Sequence, residues 1–263
     1  MNPIVQAGGA PVEQGRAQGA ALADVIRGEV ARLRASLPWL ARRALARRVR
    51  ATSARALETQ LPWQRERIEG MAQTSRASES QLLFAEAQTR VAGAAFFDGA
   101  RLSAVFDLPR ELESLVALRR SAPDAGGFAS AELTLAPLAG CLCGVNREGI
   151  AVIAARDAAR DELSLRFHAQ ELLFRARDLE AGIEHVRRRA AYAGGTGTLV
   201  AADARGRACV LELAAGTLAV GDARALPRAA LAHRVALDPQ PSRLTLFSAD
   251  GAHESARLNA RSD

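Results

Sequence analysis

Arg90–Asp107 reads RVAGAAFFDGARLSAVFD, and the fold turns on it. Two short apolar runs, Val91–Phe97 and Leu102–Phe106, flank the pair Asp98-Gly99. An Asp-Gly pair tolerates the positive φ that a tight two-strand connection demands, so the stretch is predicted to form an antiparallel hairpin. The chain changes character here. Residues 1–90 carry mostly helical pattern, whereas residues 91–263 carry mostly strand pattern, so a sheet begins at this hairpin. Segregated helices and strands predict an α+β fold. We expect one domain over 1–263, with a helical segment 1–90 leading into a core 91–263.

Upstream, Leu22, Val25, Ile26, Val30, Leu33 and Leu37 recur at spacings of three and four within Gln14–Leu37, which predicts a helix that Pro38 ends. Further helices are predicted over Trp39–Ala54 and Leu57–Ala72, with a break near Pro62. Ser78 is placed to cap a helix over Gln81–Thr89. Arg42, Arg43, Arg47, Arg48 and Arg50 cluster on the second helix. Such a cluster can dock on phosphate. Without interleaved stacking aromatics, a solvated face is the better reading, with Trp39, Leu40, Leu45 and Val49 packed on the core. Neither nucleic acid nor membrane is expected as a partner.

Downstream, Ser114–Leu118 and Ala131–Leu138 are predicted strands around the loop SAPDAGGF, and Asn146 and Gly149 supply a turn within GVNREGI. Helices are expected over Phe167–Arg177 and Leu179–Ala190. A second hairpin follows: strand Thr198–Ala202, turn Asp203–Gly206 and strand Ala208–Leu213. Strands over Ala229–Val235 and Leu244–Ser248 close the pattern.

Charged residues at 24% and hydrophobics at 49% describe an ordinary globular chain. All 35 basic residues are arginine, and the net charge is +6, which argues about solubility and non-specific association only. Cys141, Cys143 and Cys209 are an odd number, so no disulfide framework is expected. With His168, His185, His233 and His253 scattered, no metal-binding spacing completes a site, and neither metal nor cofactor is expected. Cys141 and Cys143 read as a pair of small buried residues sharing one face of a strand. The N-terminus lacks a basic region followed by an apolar block, and no run reaches a membrane span. A cytoplasmic bacterial protein is the expectation, and homo-oligomerisation stays open.

Several segments together resemble the isopenicillin-N acyltransferase-like proteins, the C45 peptidase family of N-terminal nucleophile hydrolases. GRAQGAALADVI (Gly15–Ile26), Glu69-Gly70-Met71-Ala72, Phe106-Asp107-Leu108-Pro109, Gly144–Ile150 and Gly194–Glu212 are similar to family segments in the family's order. The resemblance spans essentially the whole chain. It implies a four-layer αββα sandwich preceded by N-terminal helices. In the family, a Gly-Cys bond in the first core strand is cleaved autocatalytically, and the freed Cys is nucleophile and base. Here that bond is Gly93-Ala94. By the same resemblance, Asp107 is the acid beside the nucleophile, Val105 stands at an asparagine position, Thr198 falls at the oxyanion-hole asparagine, and Arg243 is the nearest match to an assisting arginine. His233 stands where the family has an Asn-His pair, with Ala232 in place of the asparagine. Gly93, Asn146, Gly149 and Asp203 are expected to shape turns and pocket.

An alanine methyl cannot attack a carbonyl. Gly140-Cys141, Gly195-Thr196, Gly197-Thr198 and Gly216-Thr217 offer other cleavable bonds, but each lies beyond the first core hairpin. Ser103 has no base placed beside it. The expected function is therefore that of an unprocessed, catalytically silent homologue that binds a small molecule or a protein partner. The alternative is an active amide hydrolase or acyltransferase with a different nucleophile.

Overall fold

The hairpin forms as the Asp-Gly signal requires: β2 (Ala92–Phe97) pairs antiparallel with β3 (Leu102–Asp107). Gly99 has φ +100° and Asp98 Oδ1 accepts the Ala100 and Arg101 amides at 3.0 and 2.7 Å. This is a computed structural model that describes residues 2–157, 163–193, 195–214, 216–223, 233–240, 242–247 and 253–258. Gly194, residues 229–232 and Ser248, which belong to expected strands or turns, lie outside the described residues.

Strand β7 (Ala151–Asp157) is where the sheet divides. One of its edges is taken by β8 (Gly197–Ala202) along its length. The other edge is shared: residues 151–153 pair with β6 (Cys143–Asn146), while Arg156 pairs with Ala92 of β2. A bulge between Ala154 and Arg156 separates the two halves, and bulges sharpen local twist. Two wings therefore leave one strand. The first wing runs β6, β5 (Ser130–Leu135), β4 (Val116–Pro123) and β1 (Ile4–Gly9), and on the β8 side it continues into β9 (Ala208–Ala214) and β10 (Thr217–Asp222). The second wing runs β2, β3, β11 (His233–Asp238), β12 (Arg243–Phe247) and β13 (His253–Arg257).

The second wing folds over the first, with β11 and β12 against β5 and β6. Ala104, Phe106, Val235, Leu237 and Leu244 meet Leu133, Cys143, Val145 and Ile153 in one buried cluster. On the other face of the first wing, Cys141, Val152, Leu199 and Leu211 pack under α8 (Leu165–Arg175) and α9 (Leu179–Ala193). Strands covered on both faces read as continuous apolar runs. Strand β5 is covered on both faces as well, but it alternates: Ala131, Leu133 and Leu135 face one way and the buried polar Ser130, Glu132 and Thr134 the other.

The N-terminal segment differs from expectation at its start. Residues 1–90 are not all helical, because Ile4–Gly9 forms β1, paired parallel to β4 with Val5 and Ala7 buried. Six residues facing a partner more than a hundred positions away leave no local signal. The first expected helix is two, α1 (Pro11–Ala21) and α2 (Ala23–Ala35), and α3 (Trp39–Val49) runs through a π-helical turn, Arg50–Ala54, into α4 (Arg55–Gln60). Pro62 starts α5 (Pro62–Ser75), where its missing N–H is harmless. Ser78 makes a full capping box with Gln81 on α6 (Glu79–Gln88), and a short α7 (Arg110–Glu113) follows β3. Trp39 and Leu40 are 55% and 72% exposed, so only Val49 and, in part, Leu45 of the expected apolar face reach the core. Arg43 instead lies over the Trp39 ring.

Helix α1 crosses α5 backbone to backbone. A Cβ on Gly15 would lie 2.0 Å from the Arg67 carbonyl oxygen, and one on Gly70 would lie 2.0 Å from that of Val12. The crossing brings Gln14, Gln18 and Arg67 over the first wing, against Arg119 of β4 and Glu132 of β5. The principal helix-to-sheet contacts, those of α1, α8 and α9, all fall on the first wing. The described residues thus give three layers of the expected four: helices, first wing and second wing.

Candidate functional site

Cross-strand register places Ala94, Asp107 and Thr198, three of the expected site residues, near the division point of the sheet. Ala94 pairs with Val105, and Ala92, two residues before it on the same face, pairs with Asp107. Across β7, Ala92 is level with Arg156, which is level with Thr198, which is level with Glu212. Asp107, Ala92, Arg156 and Glu212 are exposed and Thr198 is half-buried, so this row opens to solvent. Gly93 points the other way, where a Cβ would meet the Phe106 ring at 2.8 Å.

No attacking atom stands at Ala94. Its methyl group is half-buried beside Val105, which is 3% exposed. Two strand spacings of ~4.8 Å put the backbone of Thr198 roughly 10 Å from that of Ala92. Thr198 is thus near enough to belong to one surface but not adjacent.

Arg243 is not part of this row. Ala94 is level through Val105 and Arg234 with Phe247, and Arg243 lies four residues further along β12, about 13 Å at ~3.3 Å per residue. His233 pairs through its backbone with Phe106, level with Gly93. Asn146, Gly149 and Asp203 hold turns. The buried Asn146 amide donates to the Leu173 and Ala176 carbonyls at 3.0 and 2.8 Å and accepts from the Glu148 and Ile150 amides, tying the end of α8 to the β6–β7 turn. Gly149 has φ +81°, and a Cβ there would lie 2.7 Å from Ala204 Cβ. Asp203 accepts from the Arg205 and Arg207 amides and binds the Arg207 guanidinium.

The alternative nucleophiles are poorly equipped. Cys141 and Cys143 are fully buried, and burial pushes both thiols above their ordinary pKa, while Cys209 is pushed up to about 11. The two do not share a strand face as expected. Cys141 precedes β6 and packs under α8, whereas Cys143 packs between the wings. Ser103, 2% exposed, lies on the Ala94 face of β3 level with Ala236. Among the described residues no group of His, Cys, Asp or Glu is arranged to hold a metal ion, and no helix is long and apolar enough to cross a membrane.

Arg243 belongs to a different feature. On the outer face of the second wing, Arg101, Asp238, Arg243, Thr245, Phe247 and Ser255 line a cavity of about 250 Å³. The two Asp238 oxygens are divided between arginines: Oδ1 accepts from Arg101 Nε, and Oδ2 accepts from Arg243 Nε and Nη2 at 3.1 and 2.9 Å. Sequence reasoning found Arg243 but missed Arg101 and Asp238. The available signal was a pair of opposite charges, Asp238 and Arg243, closing the β11–β12 hairpin.

No protein-family model and no curated protein matches the chain. Among solved structures it is similar to penicillin V acylase from Agrobacterium tumefaciens, with a TM-score of 0.41 and 8% identity over 63% of this chain and 86% of that one.

Proposed function

We propose that the chain is an unprocessed, catalytically silent homologue of the C45-type acyltransferases, acting by binding a small molecule or a protein partner. The observation that carries this reading is Ala94. Strand register that puts Asp107 and Thr198 level with Ala92 supports the reading, and the position that the resemblance assigns to the nucleophile holds a methyl group that can neither attack nor be activated. The buried Cys141 and Cys143, held protonated, do not substitute for it. The same reading carries the four-layer αββα form, a single domain over 1–263 and a cytoplasmic setting.

The test is the intact mass of the purified native chain, before and after incubation with amide and thioester acyl donors. One unmodified chain of full length is the expected result. A new amino terminus at residue 94, two fragments, or an acyl adduct on Ser103, Cys141, Cys143 or a threonine would replace this reading with that of an active hydrolase or acyltransferase.

A further inference from the structure

We propose that the cavity on the outer face of the second wing binds the carboxylate or phosphate group of a small organic anion, clamped between Arg101 and Arg243. This deepens the ligand-binding reading above and rests on it for the premise that the ligand is held, not turned over.

Charge makes the first case. Arg101 and Arg243 share the counter-ion Asp238, so the trio carries one positive charge, while the exposed Asp98 carboxylate, bound to the Arg101 amide, adds its field on the outer side of Arg101. Both Asp238 oxygens are occupied, and its side chain is 10% exposed, while the arginine side chains are 42% and 44% exposed. The guanidinium groups therefore keep N–H donors to offer, whereas the Asp238 carboxylate has little acceptor capacity left. The bond to Asp238, and its charge, raise the Arg101 pKa and keep the group protonated. A planar fork of N–H groups matches carboxylate and phosphate oxygens in pairs.

The rest of the lining extends the site. Thr245 and Ser255 are cross-strand partners, so their hydroxyls stand side by side next to the arginines. Ala236 and Phe247 give an apolar wall beyond them. At ~30 Å³ per water the cavity has the room of about eight waters, enough for a small aromatic or alkyl acid. Donors at one end and a ring at the other favour a ligand with an anionic head and an apolar body. The arginine end of the cavity lies some 13 Å along the strand direction from the level of Ala94, while Phe247 at its other end is level with Ala94, three strands away on the same face.

The test is calorimetric titration of the full chain with benzoate, phenyl phosphate and neutral benzamide. Saturable one-to-one binding of at least one of the two anions is expected, with no binding of benzamide. Arg243→Met and Arg101→Met should each weaken it at least tenfold, while Arg43→Met, a change of equal charge on the exposed face of α3, should leave it within twofold. Where an arginine variant fails to fold, Thr245→Val serves, with a several-fold loss expected. Equal binding of benzamide, equal weakening by Arg43→Met, or no saturation would overturn the assignment. An anion recovered chemically unchanged supports both proposals. One consumed at this site sinks the silent reading and leaves the anion site standing, and absence of binding by an intact single chain does the reverse.

Discussion

Replacing Glu132 by Gln should cost about 3–5 kcal/mol of stability, because it strips the counter-ion from two buried arginines. Glu132 is 1% exposed and Arg119 is fully buried. Glu132 Oε2 accepts from Arg119 Nε at 2.8 Å, from Arg119 Nη2 and from Gln170 Nε2 at 2.9 Å, and Oε1 accepts from Ser130 at 2.5 Å. Arg67 adds a second buried guanidinium, its pKa lowered to about 9 by burial and by the charge of Arg119. With the glutamate, three charges sum to +1; with glutamine they sum to +2 in the same helix-to-sheet layer. At a urea slope of ~3 kcal/mol per M the midpoint should fall by about 1–1.7 M. Burial opposes the charged form of Glu132, but Arg119, Arg67 and the bonds from Ser130 and Arg119 outweigh it and hold the pKa below the ordinary value. The native state therefore binds this proton less tightly than the unfolded chain. Its stabilisation is complete above the unfolded pKa of ~4.3 and is lost as pH falls through the native value. The gap between wild type and Glu132→Gln should be constant from pH 6 to 8 and narrow below about pH 4. The double variant Arg119→Met with Glu132→Leu should cost at least ~2 kcal/mol less than the two single changes summed. A loss under ~1 kcal/mol at pH 7, or a gap that ignores acid, would refute the counter-ion role.

Ala94→Cys alone should leave one full-length chain on denaturing electrophoresis, and cleavage before residue 94 should need Val105→Asn and Thr198→Asn as well; efficient cleavage by the single variant would show that the surrounding site is still armed. Gly70→Ala should lower the melting temperature by at least roughly 4 °C, since its Cβ would fall 2.0 Å from the Val12 carbonyl oxygen and force α1 and α5 apart. Gly28→Ala, whose Cβ meets open space on α2, should raise stability by up to ~1 kcal/mol in the same melts, and equal losses for both would discard the packing account. At pH 8 a disulfide reagent should label Cys209 slowly and Cys141 and Cys143 only once urea unfolds the chain. These raised pKa values mean that the stability contributed by neutral thiols is present below ~8.5 and lost as pH rises through the native values, and prompt labelling of Cys141 would count against its burial.

Local chemistry is what the sequence states plainly. Asp98-Gly99, the Ser78 capping box, Pro62 at a helix start, the Asn146–Gly149 turn and the Asp203–Gly206 turn each act within a few residues, so each is legible from spacing and residue type. The methyl at position 94 is equally plain, since no tertiary contact can make it a nucleophile. Long-range pairing is a different matter. β1 finds β4 across more than a hundred residues, Trp39 and Leu40 stay exposed because none of the described elements covers them, and Cys141 and Cys143 part to opposite faces because the chain turns between them. Arg243 was legible as an arginine near the C-terminal strands, but its distance from Ala94 and its sharing of Asp238 with Arg101 follow from strand register alone. Spacing and residue type alone specify the turns, the helix caps and the methyl group at position 94, because those depend on neighbours along the chain. Which charges meet, and where a cavity opens, follows from strand register and the splitting of wings at β7, which bring together residues that no local pattern connects.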